Sequence, residues 1–135
     1  MEYRGFFDGS SKGNPGLAHC SWVILDSDNV EYSHKRIKAK EDRTNNYAEY
    51  MGLISLLYYL VSEKEIVYIE IFGDTALVIN QVNGKWKCKS PNLKPLWEKA
   101  VSLFEYLTTF KHIKLTWIPR EQNTIADQLA QEGKL

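Results

Sequence analysis

What most constrains this chain is a change of period about a third of the way along it. Residues 2–8, 18–26 and 30–37 read as short strands. Two turn-forming stretches join them, Asp8-Gly9-Ser10-Ser11-Lys12-Gly13-Asn14-Pro15-Gly16 and Asp26-Ser27-Asp28-Asn29. Strands on such short loops predict an antiparallel meander. The pattern then turns helical: Tyr47, Met51, Ile54, Tyr58 and Val61 recur at that spacing, and Leu57 thickens the stripe, which predicts a helix over residues 45–62. Residues 66–72 form an almost continuous apolar run, typical of a strand covered on both faces. Thr75 to Val82 reads as a helix stopped by Asn83-Gly84. Pro91 and Pro95 bracket the start of another, running to Phe110 with Leu96, Ala100, Leu103 and Leu107 inward. A fifth strand over 113–118 and a closing helix over 124–132 complete the order βββαβααβα. Right-handed crossovers make the first, fourth and fifth strands parallel. The predicted fold is α/β, a five-stranded mixed sheet with helices on both faces, forming a single domain over residues 1–135.

Composition narrows the class. With 44% hydrophobic and 25% charged residues the chain reads as a soluble globular protein, and no apolar run has the length of a membrane span. Met1-Glu2-Tyr3-Arg4 enters the first strand without an apolar signal region. Cys20 and Cys88 make neither a disulfide framework nor a zinc-ligand spacing; their pairing is left open, and a cytoplasmic location is expected. A net charge of zero argues against a general nucleic-acid coat protein. Positive charge is nevertheless gathered into two stretches, Lys35, Arg36, Lys38, Lys40 and Lys85, Lys87, Lys89, Lys94. Neutrality is what an acidic centre with a basic rim would give.

The acidic centre is the chemical signal. Asp8 ends the first strand and Asp74 the fourth, and these two are expected neighbours at the sheet edge where α/β proteins build their sites. Glu49 lies in the first turn of the crossover helix, and Asp127 on the closing helix. Taken singly, each has an ordinary explanation. Asp8 can open a turn, Glu49 can pair with a cap at Asn46, Asp74 can cap the following helix, and Asp127 can be a solvated helix residue. Four such roles coinciding at one sheet end is a weaker explanation than one shared role. Crowded carboxylates repel and resist burial unless divalent cations neutralise them. Oxygen ligands without His or Cys select Mg²⁺ or Mn²⁺ over zinc, and a pair of ions about 3.5–4 Å apart is the machinery of phosphoryl-ester cleavage. His19, His34 and His112 match no ligand spacing, and Ser10 and Ser11 have no nearby base to activate them. The Gly9–Gly16 loop, beginning Gly9-Ser10, lacks the Gly-Lys-Ser/Thr ending of a nucleotide-binding loop, yet its glycines allow backbone amides to approach a phosphate. Thr44-Asn45-Asn46 sets donors at a helix N-terminus, where the dipole favours an anion.

Four stretches together resemble the cellular, type 1 ribonuclease H domain: Phe7 to Gly16, Thr44-Asn45-Asn46-Tyr47-Ala48-Glu49, Gly73-Asp74-Thr75 and Ile125-Ala126-Asp127. They occur in family order across essentially the whole chain. The resemblance implies cleavage of the RNA strand of an RNA/DNA hybrid, with Asp8, Glu49, Asp74 and Asp127 holding two Mg²⁺ ions and Asp8 bridging them. It implies that Asn14, Thr44 and Asn46 contact the nucleic acid, partly at a DNA-strand phosphate and partly at RNA 2′-hydroxyls, the groups that distinguish RNA from DNA. Three departures from the pattern stand out. The segment Trp117 to Asn123 is short and has no His, leaving Arg120 or Glu121 to substitute, with Arg120 preferred for following a departing phosphate. Ala76 stands where many members have a substrate-contacting Gln. The chain lacks the long basic protrusion of some members, a task that Lys85, Trp86, Lys87 and Lys89 are placed to share; the alternative for Trp86 is packing on the core. Competing functions are a broader nuclease that also cuts double-stranded RNA and a non-catalytic binding module, the latter disfavoured because all four acids are present. A monomer without membrane association is expected.

Overall fold

The first strand does not stop where its glycine and serine residues suggest. In the computed structural model, which describes residues 1–13, 16–39 and 41–126, β1 (Glu2–Lys12) continues through the turn-like composition and pairs antiparallel with β2 (Leu17–Leu25). The register sets Asp8 opposite Ser21, Gly9 opposite Cys20, Ser10 opposite His19 and Lys12 opposite Leu17. The backbone donors and acceptors of residues 8–12 thus find ladder partners in β2, which outweighs the turn propensity of their side chains. Asp8 lies inside a strand rather than at its end.

The remaining elements follow the expected order: β3 (Glu31–Lys38), α1 (Asn45–Ser62), β4 (Tyr68–Gly73), α2 (Ala76–Val82), α3 (Lys94–Thr108) and β5 (His112–Trp117). A 3-10 turn at Arg120–Gln122, which the sequence did not signal, comes next. The sheet order is β3-β2-β1-β4-β5, with β1, β2 and β3 antiparallel and β1, β4 and β5 parallel, as the crossover rule requires. Residues 124–126 are helical. They lie against β2, where the Ser21 hydroxyl donates to the Ala126 carbonyl. The rest of the predicted closing helix, residues 127–132, lies outside the described residues.

Helix α1 forms where expected but buries a different face. Thr44 caps it, its Oγ1 accepting from the Tyr47 N–H at 3.2 Å. The buried residues are Ala48, Glu49, Tyr50, Gly52, Leu53, Leu56, Leu57 and Leu60. Of the stripe read from the sequence only Leu57 is among them; Tyr47, Met51, Ile54 and Val61 are half-buried and Tyr58 is exposed. The helix is apolar around most of its circumference, so periodicity alone does not choose a side. Small residues choose it: a Cβ at Gly52 would come within 2.9 Å of the Asp8 carbonyl. The helix therefore closes on β1 and β2 along the Ala48–Gly52 side.

Strand β4 also differs from expectation, alternating rather than being covered on both faces. Ile69, Ile71 and Gly73 are buried, whereas Tyr68 is exposed and Phe72 half-buried. The surplus apolar residues form ring pairs with neighbouring strands, Tyr68 on His112 and Phe72 on Phe6. In α3, Ala100 and Leu107 are fully buried, with Leu96 and Leu103 packed against the core as predicted. Phe7, Trp22, Ile24, Leu53, Leu56, Leu57, Leu60 and Ile71 make the centre of that core, each contributing about 1.5–3 kcal/mol by leaving water. Cys20 and Cys88 are free thiols. Among the described residues no helix is long and apolar enough to cross a membrane.

Candidate active site

Glycine lets the helix reach the strand that carries Asp8. A Cβ at Gly9 would lie 2.3 Å from the Ala48 carbonyl carbon and 2.5 Å from the Glu49 nitrogen, a clash no side chain survives. This approach brings Glu49 beside Asp8. Asp74 joins them because β1 runs past the end of β4: Phe6 pairs with Phe72, and β4 stops at Gly73. One carboxylate oxygen from each of Asp8, Glu49 and Asp74 lies within 4.8 Å of the other two. Asp8 and Glu49 are buried and Asp74 is half-buried.

The ordinary explanations for these acids do not hold. Asp8 opens no turn, since it sits in the β1–β2 ladder. Thr44, not Asn46, caps α1, and Thr75, not Asp74, caps α2 by accepting from the Val78 N–H at 3.3 Å. The Glu49 carboxyl is held well above the ordinary carboxylate range, first by burial and then by the charges of Asp8 and Asp74. A backbone hydrogen bond from Gly9 opposes that rise. Glu49 Oε2 is buried with no hydrogen-bond partner. Beside it the Cys20 thiol is pushed up to about 12 by burial, with Glu49 adding to the effect, so it is no nucleophile. Hard anionic oxygens with an unsatisfied buried acceptor fit a hard divalent cation, and among the described residues no other group of three such side chains converges. Asp127 and Asn14 lie outside the described residues.

One residue at this centre escaped the sequence reading. Asn123 is fully buried, and its Nδ2 donates to the Phe7 carbonyl at 2.9 Å and to Asp74 Oδ2 at 3.1 Å. The Asp74 carbonyl accepts from Trp117 Nε1 at 3.2 Å. In sequence, Asn123 looks no different from Gln122; only its place between the fifth strand and Asp127 marks it.

The expected substrate contacts, the rim read from the sequence, are mostly exposed. Thr44, Asn45 and Asn46 are exposed at the start of α1. Asn45 Oδ1 accepts from the Ser11 N–H at 2.6 Å, which ties the β1–β2 hairpin to the helix. The hydroxyls of Ser10 and Ser11 are buried without hydrogen-bond partners. Gly84, at φ +81, turns the chain so that the Lys85 and Trp86 N–H groups both meet the Asn80 carbonyl. Lys85, Lys87 and Lys89 are exposed, and Trp86 is exposed rather than packed in the core. Arg120 and Glu121 stand exposed on the 3-10 turn ahead of Asn123, and Ala76 opens α2.

A mixed sheet of this order, with carboxylates converging from its first strand, its crossover helix and the end of its fourth strand, defines the ribonuclease H-like class. A family model described as reverse transcriptase-like matches residues 6–133. The structure superposes on the crystal structure of RNase H1 from the halophilic archaeon Halobacterium salinarum with a TM-score of 0.87 and 34% identity, covering 99% of this chain and 98% of that one. LC11-RNase H1, solved in complex with an RNA/DNA hybrid, matches at a TM-score of 0.81 and 28% identity over 96% of this chain and 94% of that one. The chain is 37% identical over 126 residues to the bifunctional protein Rv2228c of Mycobacterium tuberculosis, covering 93% of itself but only 34% of that protein. It thus spans about a third of the length of this mycobacterial relative. The chain belongs to the ribonuclease H family.

Proposed function

We propose that this chain is a metal-dependent endoribonuclease that hydrolyses the RNA strand of RNA/DNA hybrids. The observation that carries this reading is the convergence of Asp8, Glu49 and Asp74 oxygens within 4.8 Å in a buried site. Asp8, Glu49 and Asp74, with Asp127 as the fourth ligand, would hold two Mg²⁺ ions, Mn²⁺ being the alternative. Bound there, such ions supply a water of lowered pKa and neutralise charge on the departing oxygen. By the family resemblance, Asp8 would serve both ions. The chain's other residues bind and orient. Asn14, Thr44, Asn45 and Asn46 offer short polar groups, and Gly9 and Ser10 would offer backbone groups beside the acids, which suits a wide, shallow groove lined with 2′-hydroxyls. Lys85 and Trp86 offer a charge for phosphate and a ring for stacking. Arg120 would help product leave. The hybrid-bound state of LC11-RNase H1 supports the substrate class. Action as a monomer in the cytoplasm belongs to the same proposal.

A second reading, cleavage of double-stranded RNA as well, is favoured by Ala76 at the start of α2, where a Gln contact to substrate is missing. One cleavage panel separates the two. Labelled RNA/DNA, RNA/RNA and DNA/DNA duplexes are incubated with Mg²⁺, Mn²⁺ or chelator. Cleavage confined to the hybrid and abolished by chelator is expected; equal cutting of RNA/RNA supports the broader nuclease, and activity in chelator defeats both.

A further inference from the structure

We propose that Asn123 is a positioning residue for Asp74, and that it sets how tightly the acidic cluster holds a divalent cation. This rests on the cluster being a Mg²⁺ site. Asn123 is fully buried, unusual for a short amide next to a surface turn. Its two N–H groups serve two acceptors, the Phe7 carbonyl at 2.9 Å and Asp74 Oδ2 at 3.1 Å. Turned over, the amide would press Oδ1 against a carbonyl and a carboxylate oxygen, so its orientation is fixed. Oδ1 is left buried without a hydrogen-bond partner, a cost that an apolar residue at this position would not incur.

Three properties suit Asn123 to the role. It links β1, at the residue preceding Asp8, to the residue that follows β4, so both carboxylates share one frame. Its donor is neutral, so it does not compete with a cation for Asp74 as the charge of a Lys or Arg there would. With Trp117 Nε1 on the Asp74 carbonyl at 3.2 Å, both backbone and side chain of Asp74 are fixed, and little rotamer freedom remains to be lost on binding.

The test is a calorimetric titration with Mg²⁺ alone, without nucleic acid, on the parent, Asn123→Ala and Asn123→Ser, below their melting temperatures. Loss of an outer hydrogen bond to a ligand typically weakens metal about tenfold or more. A loss of about tenfold is expected for Asn123→Ala. Asn123→Ser, with a shorter donor, should also bind more weakly, and it carries the test if the Ala variant does not fold. The Mg²⁺ concentration for half-maximal cleavage should rise in step. Parental Mg²⁺ affinity in a folded variant, whatever its melting temperature, makes Asn123 purely structural and overturns the proposal. A parent that binds no Mg²⁺ overturns the metal site itself, and this inference with it.

Discussion

The acidic centre and the polar rim obey opposite rules. Asp8 and Glu49 are buried against each other's charge, in a place reached only because Gly9 and Gly52 let a helix close on a strand. Thr44, Asn45, Asn46, Lys85, Trp86 and Arg120 stand in solvent. On the proposed reading, the centre destabilises the metal-free fold and would be relieved by a bound cation. The rim costs the fold little and, on the same reading, would gain only when a polyanion lies on it. Substitutions at the centre should therefore pull stability and activity in opposite directions, whereas those at the rim should change substrate affinity or product release and leave stability and the chemical step nearly alone.

The sharpest separation is expected at Glu49. Glu49→Gln keeps the shape but removes a buried charge, so the metal-free melting temperature should rise. Removing even one neutral preorganised donor at a reacting centre costs about 10²–10³-fold in rate, and hybrid cleavage should fall at least that far. Steady-state cleavage and thermal melting in chelator, on the same preparation, read both effects. Unchanged turnover would remove Glu49 from the site.

The pH dependence of the metal-free fold follows from the same residue. Burial and the neighbouring acids raise the Glu49 carboxyl in the folded state. The unfolded chain holds that proton only up to about pH 4.3, so between there and the raised native value the folded state binds more protons. Stability from this group is then full below about pH 4.3 and declines as pH rises through that window. Melting in chelator should show this decline; Glu49→Gln should flatten it, and Mg²⁺ should offset it in the parent. A parent and variant with parallel profiles would contradict the shift.

At the rim the effects are smaller and of another kind. Base stacking on an exposed aromatic is worth about 1–3 kcal/mol, so Trp86→Ala should raise KM for the hybrid by roughly tenfold with little change in kcat. Lys85→Ala should lower the salt slope of binding by about one unit. Parental KM and salt slope in both variants would return this segment to plain surface. The smallest effect is expected at Arg120, whose loss should slow multiple turnover a few-fold while sparing single turnover, a difference of about 1 kcal/mol or less in barrier. Stopped single-turnover and steady-state rates, compared for Arg120→Ala and parent, decide it; equality in both regimes leaves Arg120 with no part in turnover.

The two regions also differ in how plainly the sequence shows them. Topology was legible because crossovers have one hand and strands change period visibly, and that was enough to bring Asp8, Glu49 and Asp74 together. Strand ends were less legible. Gly9, Ser10 and Ser11 look like a turn until the partner strand is known, and it is β2 that keeps them in the ladder. The buried side of α1 was hidden because a helix apolar nearly all round carries no phase. The small residues Ala48 and Gly52 held that information, and a stripe of large side chains drew the eye elsewhere. Trp86 was undecided in sequence because a tryptophan beside lysines suits a core edge and a binding surface alike; the turn at Gly84 leaves it outside. Asn123 was invisible, since both its hydrogen bonds cross more than forty residues of chain to acceptors that only the fold brings near.

The most direct measurement pairs hybrid cleavage in Mg²⁺ with thermal melting in chelator for Asp8→Asn and Asp74→Asn. Each variant keeps its shape and loses one negative charge from a repelling cluster. Cleavage should collapse by about 10²–10³-fold or more in both, while the metal-free melting temperature holds or rises, most clearly for the buried Asp8. Near-parental turnover in either variant would contradict a cation site built on these carboxylates, and a fall in melting temperature would contradict a centre kept at the expense of stability.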